Sequence, residues 1–355
     1  MNVAMLQASL PPNLHAGGVG YQVDLLATGL VERGHTVTVF VVDDPPPKAV
    51  YRCVLVPIPA GRGRRILEVG RAYGRLDLTG FDVVHAHGDD WCFGRRPRVR
   101  TFYGSALMEA RTATRWSRRG AQMLYYGLEW LSSVNPNAVV ISDSTRRYLP
   151  LVRTSVPCAF DPRVFFSGAK RTSEPSILFV AGTLGGRKRG SLLLNAFEEV
   201  RRSVATARLT IVSRDRVTGP GITCQSNLEA RELGTLYRSH WLLCSTSSYE
   251  GFGVPYVEAM ASGLPIVTTP NRGAMEVLRG GKLGIIASAA DLARSIVSLI
   301  RDPERRVELS SEGHEASCRY SLESVARQYE SLYGTLLDIA PKARRSSPTD
   351  HIGPE

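Results

Sequence analysis

The sequence predicts an α/β protein of two Rossmann-like parallel-sheet domains facing each other across a cleft. Three observations predict it. The chain has 355 residues, more than one hydrophobic core ordinarily serves. Short apolar runs alternate with amphipathic helical stretches, the pattern of repeated βα units. That alternation breaks at a polar stretch, residues 162–175, and restarts at residue 176. The expected domains are therefore residues 1–165 and 176–320. A helix over 321–340 is expected to pack back towards the first domain, and the polar tail 341–355 to be disordered.

Composition narrows the function classes. A hydrophobic content of 43% and a charged content of 22% are those of a globular protein. The formal net charge is +11, and only five of the 44 basic residues are lysines. Arginine suits phosphate and carboxylate recognition, so phosphorylated ligands or an anionic membrane face are the expected partners. No zinc-finger spacing or RNA-binding aromatic motif is present, so no nucleic acid is expected. Six scattered cysteines without a C-x-x-C pair argue against zinc and against a disulfide framework. No run reaches 18 apolar residues and the start lacks a basic leader, so a cytoplasmic protein is expected.

Residues 2–8 read as the first strand, residues 9–20 as a loop ending in glycines, and residues 21–33 as a helix. Val23, Leu26, Ala27 and Leu30 share one face of that helix, Gly34 stops it, and residues 36–42 form the next strand. The loop does not read G-x-G-x-x-G, so a dinucleotide site is only weakly signalled. Residues 52–58 read as a strand and 61–76 as a basic amphipathic helix, with Arg62, Arg64, Arg65, Arg71 and Arg75 among Ile66, Leu67, Val69 and Tyr73. With a second basic, aromatic stretch at 111–119 around Trp116, this helix is either a solvated face or a weak peripheral contact with an anionic membrane.

Residues 82–87 (DVVHAH) form a strand that places His85 and His87 on one face. No third ligand is indicated, so no metal is expected there. His85 is expected to be buried and hydrogen-bonded. His87, at the carboxyl end of its strand, faces the ligand side of an open sheet. Residues 99–103 and 138–142 read as further strands, the second leading into a short helix capped near Asp143 or Ser144. In the second half, residues 176–181, 208–212, 241–245, 266–269 and 284–286 read as strands. Residues 191–203, 229–239, 255–262, 290–301, 303–320 and 322–338 read as helices.

Two stretches stand out. Residues 182–190 (GTLGGRKRG) are a glycine-rich basic loop following a strand. In residues 249–269, Gly251 and Gly253 flank Phe252, Pro255 sits where a helix begins, and Glu250 and Glu258 bracket that start. A helix N-terminus preceded by glycines seats an anion, because its free N–H groups and its dipole both favour negative charge.

These stretches, with GGVGYQVDLLATGLVERGHTVTV, DVVHAH, VVISDSTRRYL and the closing SLESVARQYESLY, resemble the retaining nucleotide-sugar glycosyltransferases of the GT-B fold, glycosyltransferase family 4. The resemblance covers most of the chain, and the pair Glu250 and Glu258 within EGFG…EAMASG is its most specific part. It implies that Glu258 holds the ribose hydroxyls of the donor and Glu250 lies at the transferred sugar. Gly251, Phe252, Gly253 and Val254 would offer backbone to the sugar or phosphate, with Gly18 approaching the diphosphate from the facing domain. Arg187, Lys188 and Arg189 would carry positive charge to the diphosphate, Lys188 and Arg189 with a catalytic share. His87 and Tyr103 would lie on the acceptor or sugar side.

Departures from the family pattern are Thr183 for an arginine, Arg189 for a lysine, Tyr103 for a histidine, and Cys158–Ala159 for asparagine–glycine. The implied reaction uses a nucleoside diphosphate sugar as substrate, a hydroxyl acceptor, no cofactor and no metal. The fold would also serve a nucleotide-sugar epimerase or hydrolase, or a non-catalytic nucleotide-sugar-binding protein.

Overall fold

The computed structural model describes residues 1–12, 17–58, 65–91, 98–113, 116–168 and 170–339. The tail 341–355, with Arg62, Arg64 and part of the loop at 9–20, lies outside the described residues.

In the first half, short apolar runs form β1 (Asn2–Leu6), β2 (Thr36–Val41), β3 (Arg52–Leu55), β4 (Val83–Ala86), β5 (Arg98–Phe102), β6 (Ala138–Val140) and β7 (Thr154–Ser155). The second half supplies β8 (Ser176–Val180), β9 (Arg208–Val212), β10 (Ile222–Gln225), β11 (Leu242–Ser245), β12 (Ile266–Thr268) and β13 (Ile285–Ile286). The two sheets run in the orders β3-β2-β1-β4-β5-β6-β7 and β10-β9-β8-β11-β12-β13. All pairings are parallel. These are two Rossmann-like sheets, each reversing direction of growth beside its first strand. A crevice opens at the carboxyl ends of β1 and β4 in one, and of β8 and β11 in the other.

The helices are α1 (Gly17–Glu32), α2 (Arg65–Gly74), α3 (Ala106–Thr112), α4 (Trp116–Ser133), α5 (Asp143–Arg146), α6 (Gly190–Ser203), α7 (Ala230–Ser239), α8 (Val254–Ala261), α9 (Arg272–Val277), α10 (Leu292–Arg301), α11 (Pro303–Ser317) and α12 (Leu322–Ile339). Buried Val3, Met5 and Val39 of the first sheet pack against Leu26 and Leu30 of α1 and against Leu322, Tyr329 and Tyr333 of α12. The last helix thus completes the core of the first half. Gly29 of α1 permits the contact, since a Cβ there would lie 2.6 Å from Leu322 Cδ1.

The start of α1 differs from the sequence expectation, and β7, β10, α3, α4 and α9 have no counterpart in it. Helix α1 begins at Gly17 rather than residue 21, so Gly18 lies in the first helical turn and not in a loop. Strand β10 is a half-buried edge whose Ile-Thr-Cys-Gln carries little apolar signal. Helix α9 has six residues, too few to show a helical period, and is capped by Asn271, whose side chain accepts from the Ala274 N–H at 2.9 Å.

The polar stretch 162–175 is not a loose linker. Val164 and Phe165 are buried, and Arg171 donates to the carbonyls of Tyr237, Arg238 and His240 at the end of α7. A cation there satisfies carbonyls that the ending helix leaves unpaired.

Candidate active site

The site begins at α8. Gly253, at φ 110° and ψ 51°, caps this helix in a left-handed conformation that favours glycine, and Pro255 occupies its first turn. The chain before it carries Glu250, which is buried. Lys188 Nζ lies 2.5 Å from Glu250 Oε1 and Arg187 Nη1 2.9 Å from Oε2. Burial alone would raise the Glu250 pKa, but the two cations outweigh it and hold the carboxyl below its ordinary value. Arg187 also reaches Glu109 of α3, in the first half, at 3.5 Å. A carboxylate–cation cluster therefore spans the two halves.

Glu258 lies one turn further along α8. Its Oε2 accepts from the Tyr237 hydroxyl at 2.8 Å, while Oε1 makes no hydrogen bond among the described residues. Burial pushes this carboxyl up to about 7, with the Tyr237 hydrogen bond pulling the other way. The Tyr21 hydroxyl of α1 is close enough to feel the Glu258 charge.

Across the cleft, the strand ends supply histidine and tyrosine. His85 is fully buried, with Nδ1 2.6 Å from the Tyr333 hydroxyl and Nε2 2.8 Å from Thr101 Oγ1. Burial, reinforced by Arg100, lowers its pKa to about 3, so it is the satisfied neutral histidine expected from the sequence. His87 Nδ1 lies 2.9 Å from the Tyr103 hydroxyl.

These parts enclose a cavity of about 710 Å³ between the halves. Its wall includes Gly18, His87, Tyr103, Arg187, Lys188, Glu250, Gly251, Phe252, Gly253 and Val254. A smaller cavity of about 460 Å³ adjoins it, sharing Arg187 and Lys188 and including Thr183, Arg118 and Arg214. Glu258 is not among the residues that line either cavity.

Arg189 is a correction to the sequence reading. At φ 49° it turns its side chain away from both cavities, and its guanidinium donates to Thr246 O and Thr269 Oγ1, each at 2.6 Å. It braces the ends of β11 and β12 instead of facing the cleft. Arg187 and Lys188 alone of that triplet point into it. Sequence reasoning missed Tyr237, Glu109 and α9. Tyr237 sits at ordinary core spacing in its helix, and Glu109 gains meaning only from a partner in the other half.

Residues 16–153 match the family model described as Glycosyltransferase Family 4, and residues 174–302 that described as Glycosyl transferases group 1. The chain is a GT-B glycosyltransferase. Phosphatidyl-myo-inositol mannosyltransferase of Mycobacterium tuberculosis (strain ATCC 25618 / H37Rv) is 26% identical to this glycosyltransferase over 376 aligned residues, spanning 93% of this chain and 96% of the relative. Among solved structures, sucrose-phosphate synthase from Thermosynechococcus elongatus superposes with a TM-score of 0.78 at 19% identity, covering 95% of this chain and 99% of that one. Anabaena HepE, solved with UDP and glucose, superposes with a TM-score of 0.70 at 15% identity, covering 94% of this chain and 100% of that one. Both structural likenesses speak to the fold. The family matches fall one on each sheet, so the cleft between them is where this glycosyltransferase joins its two halves.

Proposed function

We propose that this glycosyltransferase moves a sugar from a nucleoside diphosphate donor to an acceptor hydroxyl, with retention at the anomeric carbon and without a metal. The observation that carries it is the Glu250 cluster, in which a buried carboxylate holds Lys188 and Arg187 beside the N-terminus of α8. Departure of the diphosphate from the sugar leaves negative charge on phosphate and an oxocarbenium-like sugar. Lys188, Arg187 and the first N–H groups of α8 are aimed where that negative charge develops, and need little rearrangement to stabilise it. The leaving phosphate oxygen takes the acceptor proton on the face it has just vacated. Glu250 steers the cations and offers acceptor oxygens to sugar hydroxyls. Glu258, held through one oxygen by Tyr237, keeps its other oxygen for the ribose.

The acceptor in this reading is lipid-linked and presented at the anionic cytoplasmic membrane face. Helix α4 supports it, because one of its faces lines the cleft with Gln122, Tyr125 and Glu129. Elsewhere the same helix exposes Trp116, Leu124 and Leu131, with the Arg119 guanidinium 5.4 Å from the Trp116 ring. The mycobacterial relative, named for a phosphatidyl-inositol acceptor, agrees in kind. No helix among the described residues is long and apolar enough to cross a membrane.

A thermal-shift screen of UDP, GDP, ADP, dTDP and their common sugars tests the donor, since a ligand that binds only the native state raises the melting temperature by mass action. Glu250→Ala and Glu258→Ala are each expected to abolish transfer from the donor so found, with the fold retained by circular dichroism. Wild-type turnover in both variants, or no response to any nucleoside diphosphate, would sink the reading.

A further inference from the structure

His87 is buried in the cavity wall and uses only one edge of its ring. Nδ1 faces the Tyr103 hydroxyl, and Nε2 has no hydrogen-bond partner among the described residues. An unpaired buried ring nitrogen costs stability, so it marks either strain or a waiting ligand. The ring beneath it belongs to His85, with centroids 3.9 Å apart and planes inclined by 35°. Both His85 nitrogens are taken by Tyr333 and Thr101, so His85 cannot serve the free edge of His87.

We propose that Tyr103 fixes His87 as the Nε2–H tautomer, giving the cleft a hydrogen-bond donor for a sugar-type hydroxyl oxygen. A neutral imidazole carries one N–H and one lone pair, and the partner of one nitrogen decides the role of the other. The Tyr103 hydroxyl has no other hydrogen-bond partner among the described residues, so it donates its O–H to the Nδ1 lone pair. The ring proton then resides on Nε2. Burial, with His85 and Arg100 nearby, disfavours the doubly protonated ring that would make both nitrogens donors. Tyr103 is thus a positioning residue and His87 the group that meets substrate. The hydroxyl belongs either to the transferred sugar or to the acceptor. Naming the oxygen rests on the glycosyl-transfer reading, whereas the tautomer does not.

The test uses the full chain labelled with 15N-histidine. Long-range 1H–15N spectra at pH 7.5 distinguish the tautomers, and the signals lost in His87→Gln assign the residue. Wild-type His87 is expected to carry its proton on Nε2, and Tyr103→Phe to shift the ring towards a tautomer mixture. A proton on Nδ1 in the wild type, or an unchanged ring in Tyr103→Phe, would overturn the proposal.

In transfer assays, His87→Gln, whose amide N–H stands near the Nε2–H position, is expected to keep about tenfold more activity than His87→Ala, the scale of one buried hydrogen bond. A raised donor KM with unchanged nucleoside diphosphate affinity places the hydroxyl on the transferred sugar, and a raised acceptor KM places it on the acceptor. Equal kinetics for His87→Gln and His87→Ala would also overturn the proposal. If no transfer is found with any donor, the spectra still decide the tautomer, and only the wider reading falls.

Discussion

Glu258 carries a carboxyl pushed up to about 7 from an ordinary 4.5, because burial disfavours its charge more than Tyr237 restores it. Between those two values the folded chain holds a proton that the unfolded chain has released, so this group lowers stability as pH rises through that window. Glu258→Gln removes the penalty. It is expected to raise the melting temperature at pH 8, by roughly 2–3 kcal/mol of stability, with the gain fading towards pH 5. Thermal denaturation of both proteins at the two pH values checks this, and an equal shift at both would count against the assignment. A site that sacrifices stability to keep a carboxylate buried is a mark of function rather than packing.

Arg189 is the opposite case, with its hydrogen bonds spent on Thr246 and Thr269. Arg189→Ala should cost about 1–3 kcal/mol in urea denaturation while leaving nucleoside diphosphate affinity nearly unchanged. Arg187→Ala should weaken that affinity, as calorimetry would show.

Among the elements, α8 was readable because its signals are local: a glycine pair, a proline in the first turn and acids on either side of the helix start. Most strands were readable for a similar reason, since a buried parallel sheet needs continuous apolar runs, whereas the edge strands β7 and β10 carry no such run. Helix α9 was not readable, and neither was the way it supports Glu250. Gly273 in α9 sits so close to the stretch carrying Glu250 that a Cβ would lie 2.5 Å from Phe252 O and 2.9 Å from Glu250 Cβ. That closeness is a tertiary fact with no trace in spacing or composition. The same holds for the split within GTLGGRKRG, where one left-handed residue sends Arg189 away from the cleft while Arg187 and Lys188 face it. Gly273→Ala is expected to displace Glu250, costing about 1–3 kcal/mol as overpacking does and lowering kcat. An unchanged kcat together with full stability would show that α9 does not hold Glu250 in place.

The two halves meet through polar contacts that cluster at the site. Ser142 Oγ donates to Gly251 O at 2.5 Å, and the N–H groups of Asp143 and Ser144 reach the Glu276 carboxylate at 3.1 and 3.2 Å. The Ser105 N–H reaches the Tyr249 hydroxyl at 3.3 Å. The first half therefore grips the loop that carries Glu250, while α4 adds Gln122, Tyr125 and Glu129 to the cavity wall. Trp116 of α4 is 83% exposed, Leu131 71% and Leu124 60%, with Arg119 stacked towards Trp116 on a chain of net charge +11. Apolar side chains beside arginines suit an interface that is oily inside and anionic outside.

Co-sedimentation with vesicles containing about a third phosphatidylserine is the direct measurement. Binding is expected at 0.15 M salt and should fall at 1 M, where the screening length shrinks from about 8 Å to 3 Å. Changing Trp116, Leu124 and Leu131 together to serine removes apolar groups worth about 1.5–3 kcal/mol each when buried, so vesicle binding should drop at least tenfold. Donor affinity in solution should stay as in the wild type, because none of the three side chains lines the cleft. Sedimentation that ignores both salt and these substitutions would leave α4 a solvated face and return the acceptor to the aqueous phase.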